Sequence, residues 1–356
     1  MFIKKLKIHN FRNILDNEFI FNESINIFHG RNGVGKTSIL EAIHFLSSGK
    51  SFRRGSFKNL INFNSDILAI YIEGKSNNNN ITFSVSKNKK GSWKAKKNSF
   101  KLNKQSDITN IFPVVSIDPD VYQFVDLGPL YRRNFLDWLV FHVKHDYLLL
   151  WKKVYKCIKH LNHLYKNKSS ISEIDLWEQT FIQFSNELNN TRKSIFEQIQ
   201  PSILKLSQYM QEEINNLSVI FKQGWSDNLT LSEQLKFDRV KNLQYGQLQH
   251  GPHKMDIKIN TGSLQASQTL SRGQKKVLSI TFYMAYIELL INNSIKPILC
   301  LDDFDAELDS IKLSKAADFF INTKTQIFIT SVHKEKILKA FPQAEMFHVE
   351  HLKNLK

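Results

Sequence analysis

Cysteine is almost missing from this chain, with only Cys157 and Cys300 in 356 residues. That excludes a small extracellular scaffold stapled by disulfides. Cys300 lies inside the apolar run Ile298-Leu299-Cys300-Leu301, where it is expected to pack as a small hydrophobe in a reducing compartment. The first eleven residues carry lysines but no apolar segment behind them, so no secretory signal is expected. Residues 277–291 form the longest apolar stretch, yet Ser279, Thr281 and Glu288 interrupt it and it is too short to cross a bilayer. A cytoplasmic location with no membrane partner is the expectation. Acids are also short, 33 against 49 Lys and Arg, which leaves a net charge of +16 and a pI near 9.6. A polyanionic partner is one reading. Base-composition bias, visible in the many Lys, Asn and Ile residues, is the other. Disorder is excluded by 42% hydrophobic and 12% aromatic content, and the length suffices for two domains.

Glycine is sparse too, at 13 residues, yet three of them fall within eight positions. Residues 30–37 read Gly30, Arg31, Asn32, Gly33, Val34, Gly35, Lys36 and Thr37, a Gly-x4-Gly-Lys-Thr phosphate loop. Ile25-Asn26-Ile27-Phe28-His29 before it has the character of a strand, and Ser38-Ile39-Leu40-Glu41-Ala42-Ile43 after it that of a helix, which is the context the motif requires. The loop's amides and the helix N-terminus face a polyphosphate, Lys36 reaches the β and γ phosphates, and the Thr37 hydroxyl ligates Mg²⁺.

The acid such a loop needs comes at Ile298-Leu299-Cys300-Leu301-Asp302-Asp303, a buried parallel strand closing on two carboxylates. Asp302 is expected to hold Mg²⁺, and Asp303 to orient the attacking water or accept its proton. Between loop and strand, Leu270-Ser271-Arg272-Gly273-Gln274 opens a helical run over residues 275–290. Ser271 and the Gly273 amide at that helix start form a second anion site, so two copies are expected to share each nucleotide. Ala306-Glu307-Leu308-Asp309 follows, completing the motif order of ABC-type ATPases.

Elsewhere, Phe2 to Ile8 and Phe19-Ile20-Phe21 read as strands joined by the turn Asn10-Phe11-Arg12-Asn13. Leu68-Ala69-Ile70-Tyr71-Ile72 and Ile81-Thr82-Phe83-Ser84-Val85, separated by a polar turn over 76–80, predict a small antiparallel sheet reaching residue 102. No acid lies between Glu73 and Asp107, while Lys75, Lys87, Lys89, Lys90, Lys94, Lys96, Lys97, Lys101 and Lys104 do. This stretch either tracks a nucleic-acid backbone or is a solvated hairpin. After Gly128-Pro129 no glycine appears until Gly224, and Pro201 is the only proline between them. A helix striped from Phe135 to Leu164 is predicted, then a second capped by Ser172. Pro201 either starts a third segment or kinks the second, with the period continuing through Met210, Ile214 and Leu217.

These motifs, together with Gly128-Pro129-Leu130-Tyr131-Arg132-Arg133-Asn134-Phe135-Leu136-Asp137-Trp138, His250-Gly251-Pro252-His253-Lys254-Met255-Asp256 and Leu301-Asp302-Asp303-Phe304, resemble the RecF family of bacterial DNA replication and repair proteins along the whole chain. The resemblance implies an α/β fold: an SMC-like ABC ATPase head, with a P-loop α/β core plus an antiparallel β-subdomain and an inserted helical lobe. Its expected parts are 1–125 and 246–356 for the head and 126–245 for the lobe. It further implies ATP and Mg²⁺ as cofactors, an ATP-dependent homodimer, and binding to single-stranded, double-stranded and gapped DNA. Recombination mediators of the RecO/RecR type are the implied protein partners, and weak DNA-stimulated ATP hydrolysis the implied activity.

By matching positions, Ser271, Gly273 and Gln274 read the partner's nucleotide, Asp309 lies at the dimer seam, and Arg12 and Asn13 approach the nucleotide. Three departures stand out. Asp303 is one methylene shorter than a catalytic glutamate, which points to slow hydrolysis. No glutamine occurs near Pro113-Val114-Val115-Ser116, where one would approach Mg²⁺. His333 is offset by two from the usual switch histidine. The alternative class is the ATPase subunit of a membrane transporter, which shares the nucleotide motifs and is disfavoured by the helical insertion and the basic excess.

Overall fold

Alternation along the N-terminal strands decides which face is buried. In β1 (Phe2–Phe11), Ile3, Leu6, Ile8 and Phe11 are fully buried while Lys4 and Lys7 are exposed. β2 (Ile14–Ile20) returns antiparallel to it, and Arg12, with a φ of 55°, makes the expected turn. The computed structural model describes residues 1–350 apart from 54, 77 and 78. Part of the expected turn over 76–80, and residues 351–356 of the expected C-terminal part, therefore lie outside the described residues.

The chain divides into two compact units, one formed by Met1–Val121 with the segment from Leu290 onward, the other by Tyr122–Leu289. The first unit holds two sheets. One is antiparallel, with order β2-β1-β4-β5-β6-β7, adding β4 (Ile67–Ser76), β5 (Asn79–Asn88), β6 (Trp93–Lys97) and β7 (Phe100–Leu102). The other runs parallel in the order β14-β3-β13-β12-β8 and contains β3 (Ile25–His29), β8 (Val114–Ile117), β12 (Ile298–Leu301), β13 (Ile327–Ser331) and β14 (Glu345–His348). β12 and β13 are buried at every residue, as strands covered on both faces must be.

Helix α1 (Lys36–Ser48) packs into the same core as both sheets, where Ile39, Leu40, Ile43, Phe45 and Leu46 join Phe83 of β5 and Phe28, Cys300 and Phe328 of the parallel sheet. Each such side chain contributes about 1.5–3 kcal/mol on burial, so the helix start is held firmly where the phosphate loop ends. Gln326 ties the sheets together: its Oε1 accepts from the Ile3 amide at 2.7 Å and its Nε2 donates to the Ile3 and Asn22 carbonyls at 2.8 Å. α2 (Gln105–Ile111), α10 (Ser310–Asn322) and α11 (Lys334–Ala340) complete this unit.

The second unit is helical with one small sheet. Its helices are α3 (Gln123–Asp126), α4 (Pro129–Val143), α5 (Tyr147–Lys166), α6 (Ile171–Met210), α7 (Leu231–Tyr245), α8 (Ala266–Thr269) and α9 (Arg272–Asn292), whose last residues pass the boundary. Strands β9 (Leu217–Lys222), β10 (Asp256–Thr261) and β11 (Leu264–Gln265) are antiparallel.

Several local expectations are corrected here. The single stripe from Phe135 to Leu164 is two helices, α4 and α5. Ser170, not Ser172, caps α6, its hydroxyl accepting from the Glu173 amide. Pro201 starts no new segment, because it lies inside the 40-residue α6. Leu217 leaves the helical period, since α6 stops at Met210 and β9 pairs with β10. That pairing joins the chain on either side of residue 245, within the compact unit Tyr122–Leu289.

The lysine-rich stretch also separates by face. Lys94, Lys96 and Lys101 lie on exposed positions of β6 and β7, opposite Ser86 and Ser84 of β5 and one another. Lys87 instead sets its ammonium 4.4 Å from the Phe57 ring centre, and Lys89 pairs with Asp66 at 3.5 Å.

Candidate functional site

The phosphate loop leaves the C-terminal end of β3, and Asp302 the C-terminal end of β12, with β13 between the two strands. Ligands of open α/β sheets bind at that edge. Gly30 has a φ of 152°, and a Cβ there would meet the Val349 carbonyl oxygen at 2.4 Å. Gly33, with a φ of 81°, has open space instead, so only its backbone conformation demands glycine. Lys36 is nearly buried and curls over the loop, donating to the carbonyls of Gly30 at 2.8 Å and Arg31 at 3.0 Å.

The Thr37 hydroxyl donates to Asp302 Oδ1 at 2.8 Å, and Thr330 of β13 donates to the same oxygen at 2.7 Å. Thr37 and Asp302, 265 positions apart in the chain, are thereby joined. Asp302 is 3% exposed and its second oxygen, Oδ2, has no partner. Burial pushes its carboxyl above the usual range, against the pull of the two threonine hydroxyls. Asp303 stands next, in left-handed backbone with a φ of 42°; its amide donates to the Thr330 hydroxyl and its buried Oδ1 is unpaired.

A cleft of about 1170 Å³ is lined by Arg12, Asn13, Asn32, Gly33, Gly35, Lys36, Thr37, Ser38, Arg53, Lys58 and Asp303, among others. Its cationic rim suits a polyphosphate. Arg12 is tied bidentately to the buried Glu41 at 2.7 and 2.9 Å, and Asn13 accepts from the Ser38 hydroxyl at 2.9 Å. The donor set fits Mg²⁺: a hydroxyl and a carboxylate with a spare buried oxygen are what this cation takes from protein when phosphates and water supply the rest. Among the described residues no group of three or more His, Cys, Asp or Glu could hold a metal unaided.

Other expected residues stand elsewhere. Asp309 caps α10, accepting from the Lys312 amide at 2.8 Å, which holds its carboxyl below the usual range. His333 lines a separate cleft of about 770 Å³ with Ser310 and Lys336. In the second unit, exposed Ser271 and Gly273 open α9. There the Ser271 hydroxyl accepts from the Gln274 amide at 3.3 Å and Gln274 Oε1 accepts from the Ser271 amide at 2.9 Å, a reciprocal cap that leaves the helix start well formed.

Asp118, which the sequence analysis does not single out, follows β8 close to where a glutamine would approach Mg²⁺. Its Oδ1 is buried without a partner, and burial pushes its carboxyl up to about 6. An acid closing an apolar strand, as in Ile117-Asp118, was the available signal.

The motif blocks 128–138 and 250–256 turn out to bind one another. Arg132 forks onto Asp256 at 2.7 and 3.1 Å, and Arg133 donates to the Met255 carbonyl at 2.6 Å. Asp137 pairs with the fully buried Arg192 at 2.7 Å and also accepts from Tyr147 and Trp151, while Arg192 donates to the Pro252 carbonyl.

A phosphate loop on α1, a carboxylate-ended strand two places along a parallel sheet, and an antiparallel sheet sharing its core define an SMC-type ATPase head. The sequence matches the family described as "RecF/RecN/SMC N terminal domain" over residues 2–354. It is 31% identical over 351 residues to the "DNA replication and repair protein RecF" of Coxiella burnetii (strain RSA 493 / Nine Mile phase I), covering 98% of each chain. Against the protein of that name from Shewanella piezotolerans (strain WP3 / JCM 13877) it is 30% identical, covering 99% of this chain and 98% of the other. The fold superposes with a TM-score of 0.84 on the structure described as "recombination mediator protein RecF-ATP in RecFOR pathway", at 23% identity, covering 93% of this chain and 92% of that one. An SMC head bound to the C-winged helix domain of ScpA gives 0.59 at 16% identity, with 99% and 95% covered. The chain belongs to the RecF family.

Proposed function

We propose that this chain is an ATP-dependent DNA-binding protein of recombinational repair and replication-fork recovery. ATP with Mg²⁺ occupies the phosphate-loop cleft, where Lys36 turns from the loop carbonyls to the β and γ phosphates. Thr37 and Asp302 hold the cation, which supplies charge neutralisation at the phosphates when bound, and Asp303 orients water for a slow hydrolysis that permits release. Two copies close head to head, with Ser271, Gly273 and Gln274 of each helix start reading the other's γ-phosphate and Asp309 at the seam. The closed pair grips single-strand to double-strand junctions of gapped DNA and helps load recombination mediators of the RecO/RecR type.

Family membership supports the repair role, the net charge of +16 supports a polyanionic partner, and the hydrogen bond between Thr37 and Asp302 carries the nucleotide reading. Nothing favours the transporter alternative. Among the described residues no helix is long and apolar enough to cross a membrane.

Sedimentation with ATP and Mg²⁺, with and without gapped DNA, tests this. The wild-type protein should dimerise only with nucleotide and then bind the DNA. Ser271→Arg should keep ATP binding and lose dimerisation; a variant that still dimerises overturns the shared-site mechanism.

A further inference from the structure

Strands β8 and β12 run parallel and in register, Ile117 opposite Leu301. The Asp302 amide donates to the Ile117 carbonyl at 2.9 Å, so Asp118 and Asp302 leave neighbouring strands at the same level. Asp118 Oδ1 is buried and unpaired, and backbone hydrogen bonding at Asp120 only partly offsets the burial of its carboxyl. Asp302 Oδ2 is equally unpaired in a residue 3% exposed. Arg53, exposed on the rim of the cleft, is the cation whose charge acts on both acids. Two carboxylates side by side with spare buried oxygens repel each other, which a structural role does not require. The turn over residues 118–121 needs only a short side chain with one acceptor, which Asn or Ser supplies without a buried charge.

We propose that Asp118 is a further positioning residue of the Mg²⁺ site: it accepts a hydrogen bond from a metal-bound water, beside Thr37 and Asp302. This rests on the reading of the cleft as an ATP site. It assigns to strand β8 the contact that the missing glutamine left open. Protein groups one shell out from a metal orient its ligands, and losing one typically lowers metal affinity by roughly 10–100-fold.

The test is thermal melting at saturating ATP while Mg²⁺ is titrated, on the full-length wild type, Asp118→Asn and Asp118→Ser. Both variants keep the turn acceptor and lose the charge. Each should melt, without ligand, no lower than the wild type. Each should then require about tenfold more Mg²⁺ for half of the ATP-dependent shift, while the response to ATP in EDTA is unchanged or larger. An unchanged Mg²⁺ requirement overturns the proposal, as does an equal loss of response with and without Mg²⁺. Failure of both variants to fold overturns it in favour of a structural carboxylate. A wild type with no shift at any Mg²⁺ concentration overturns the ATP reading itself, and this inference with it.

Discussion

In the second unit a buried charge meets a full set of partners. Arg192, with no exposed surface, has the Asp137 carboxylate, the Tyr147 hydroxyl and the Pro252 carbonyl, and Asp137 is further held by Trp151. In the first unit, Asp118, Asp302, Asp303 and Asp305 each keep a buried oxygen with no partner. Among the described residues, no buried carboxylate oxygen of the second unit is left that way; its orphans are hydroxyls, amides, one ring nitrogen and one guanidinium nitrogen. Burying a carboxylate without compensation is costly, so a fold retains such groups where something else completes them. Closed networks hold a structure together, and the open carboxylates of the first unit suit the nucleotide and cation proposed above. Asp137 and Asp302 each follow a leucine, at the end of Phe135-Leu136 and of Ile298-Leu299-Cys300-Leu301, and their surroundings separate them.

The largest effect expected from this contrast is in the closed network. Asp137→Asn removes the counter-charge of a fully buried guanidinium, and breaking such a pair costs about 3–5 kcal/mol. Denaturant melts should show that loss in the ligand-free protein. A change within ~0.5 kcal/mol, the range of ordinary surface substitutions, would mean the network is not the second unit's fastening.

A smaller effect per residue comes from acid. Burial lowers His44 in the first unit, and His142 and His253 in the second, to about 4. The unfolded chain therefore takes up these protons first. The stability they confer is complete above pH ~6.5 and is lost as pH falls from there toward 4, by about 3 kcal/mol at most for each histidine. Melting across that window should report it, and His142→Gln should flatten the slope without touching nucleotide binding. An unaltered slope would remove His142 from the account.

The candidate site is legible where each motif is local: a loop of fixed spacing and a strand ending in acids. The two strands that carry Gly30 and Asp302, and the antiparallel sheet over residues 67–102, were legible for the same reason, since alternation and β-branched runs survive without knowledge of neighbours. What escaped depends on pairing. The period through Ile214 and Leu217 looked helical, yet β9 is fixed by β10 some forty residues on, and tertiary pairing outweighs a few well-spaced apolar residues. Pro201 sits within α6 although proline is a poor guest there, because the packed face of a 40-residue helix outweighs one lost hydrogen bond. Asp118 is not legible in the sequence because its place beside Asp302 exists only once β8 pairs with β12. The blocks around Arg132 and Asp256 resemble a family signature, but only the fold shows that they hold each other.

The most direct measurement is a pair of melts of Asp302→Asn, without ligand and with ATP and Mg²⁺. Relief of the buried, unpaired charge should leave the ligand-free protein as stable as the wild type or about 1 kcal/mol more so. The ligand-induced gain should disappear, where the wild type at a hundredfold excess over its dissociation constant should gain about 2.7 kcal/mol. An Asp302→Asn protein that melts as early as Asp137→Asn, or that keeps the full gain with Mg²⁺ and ATP, would contradict the assignment of the open carboxylates to a bound nucleotide and its cation.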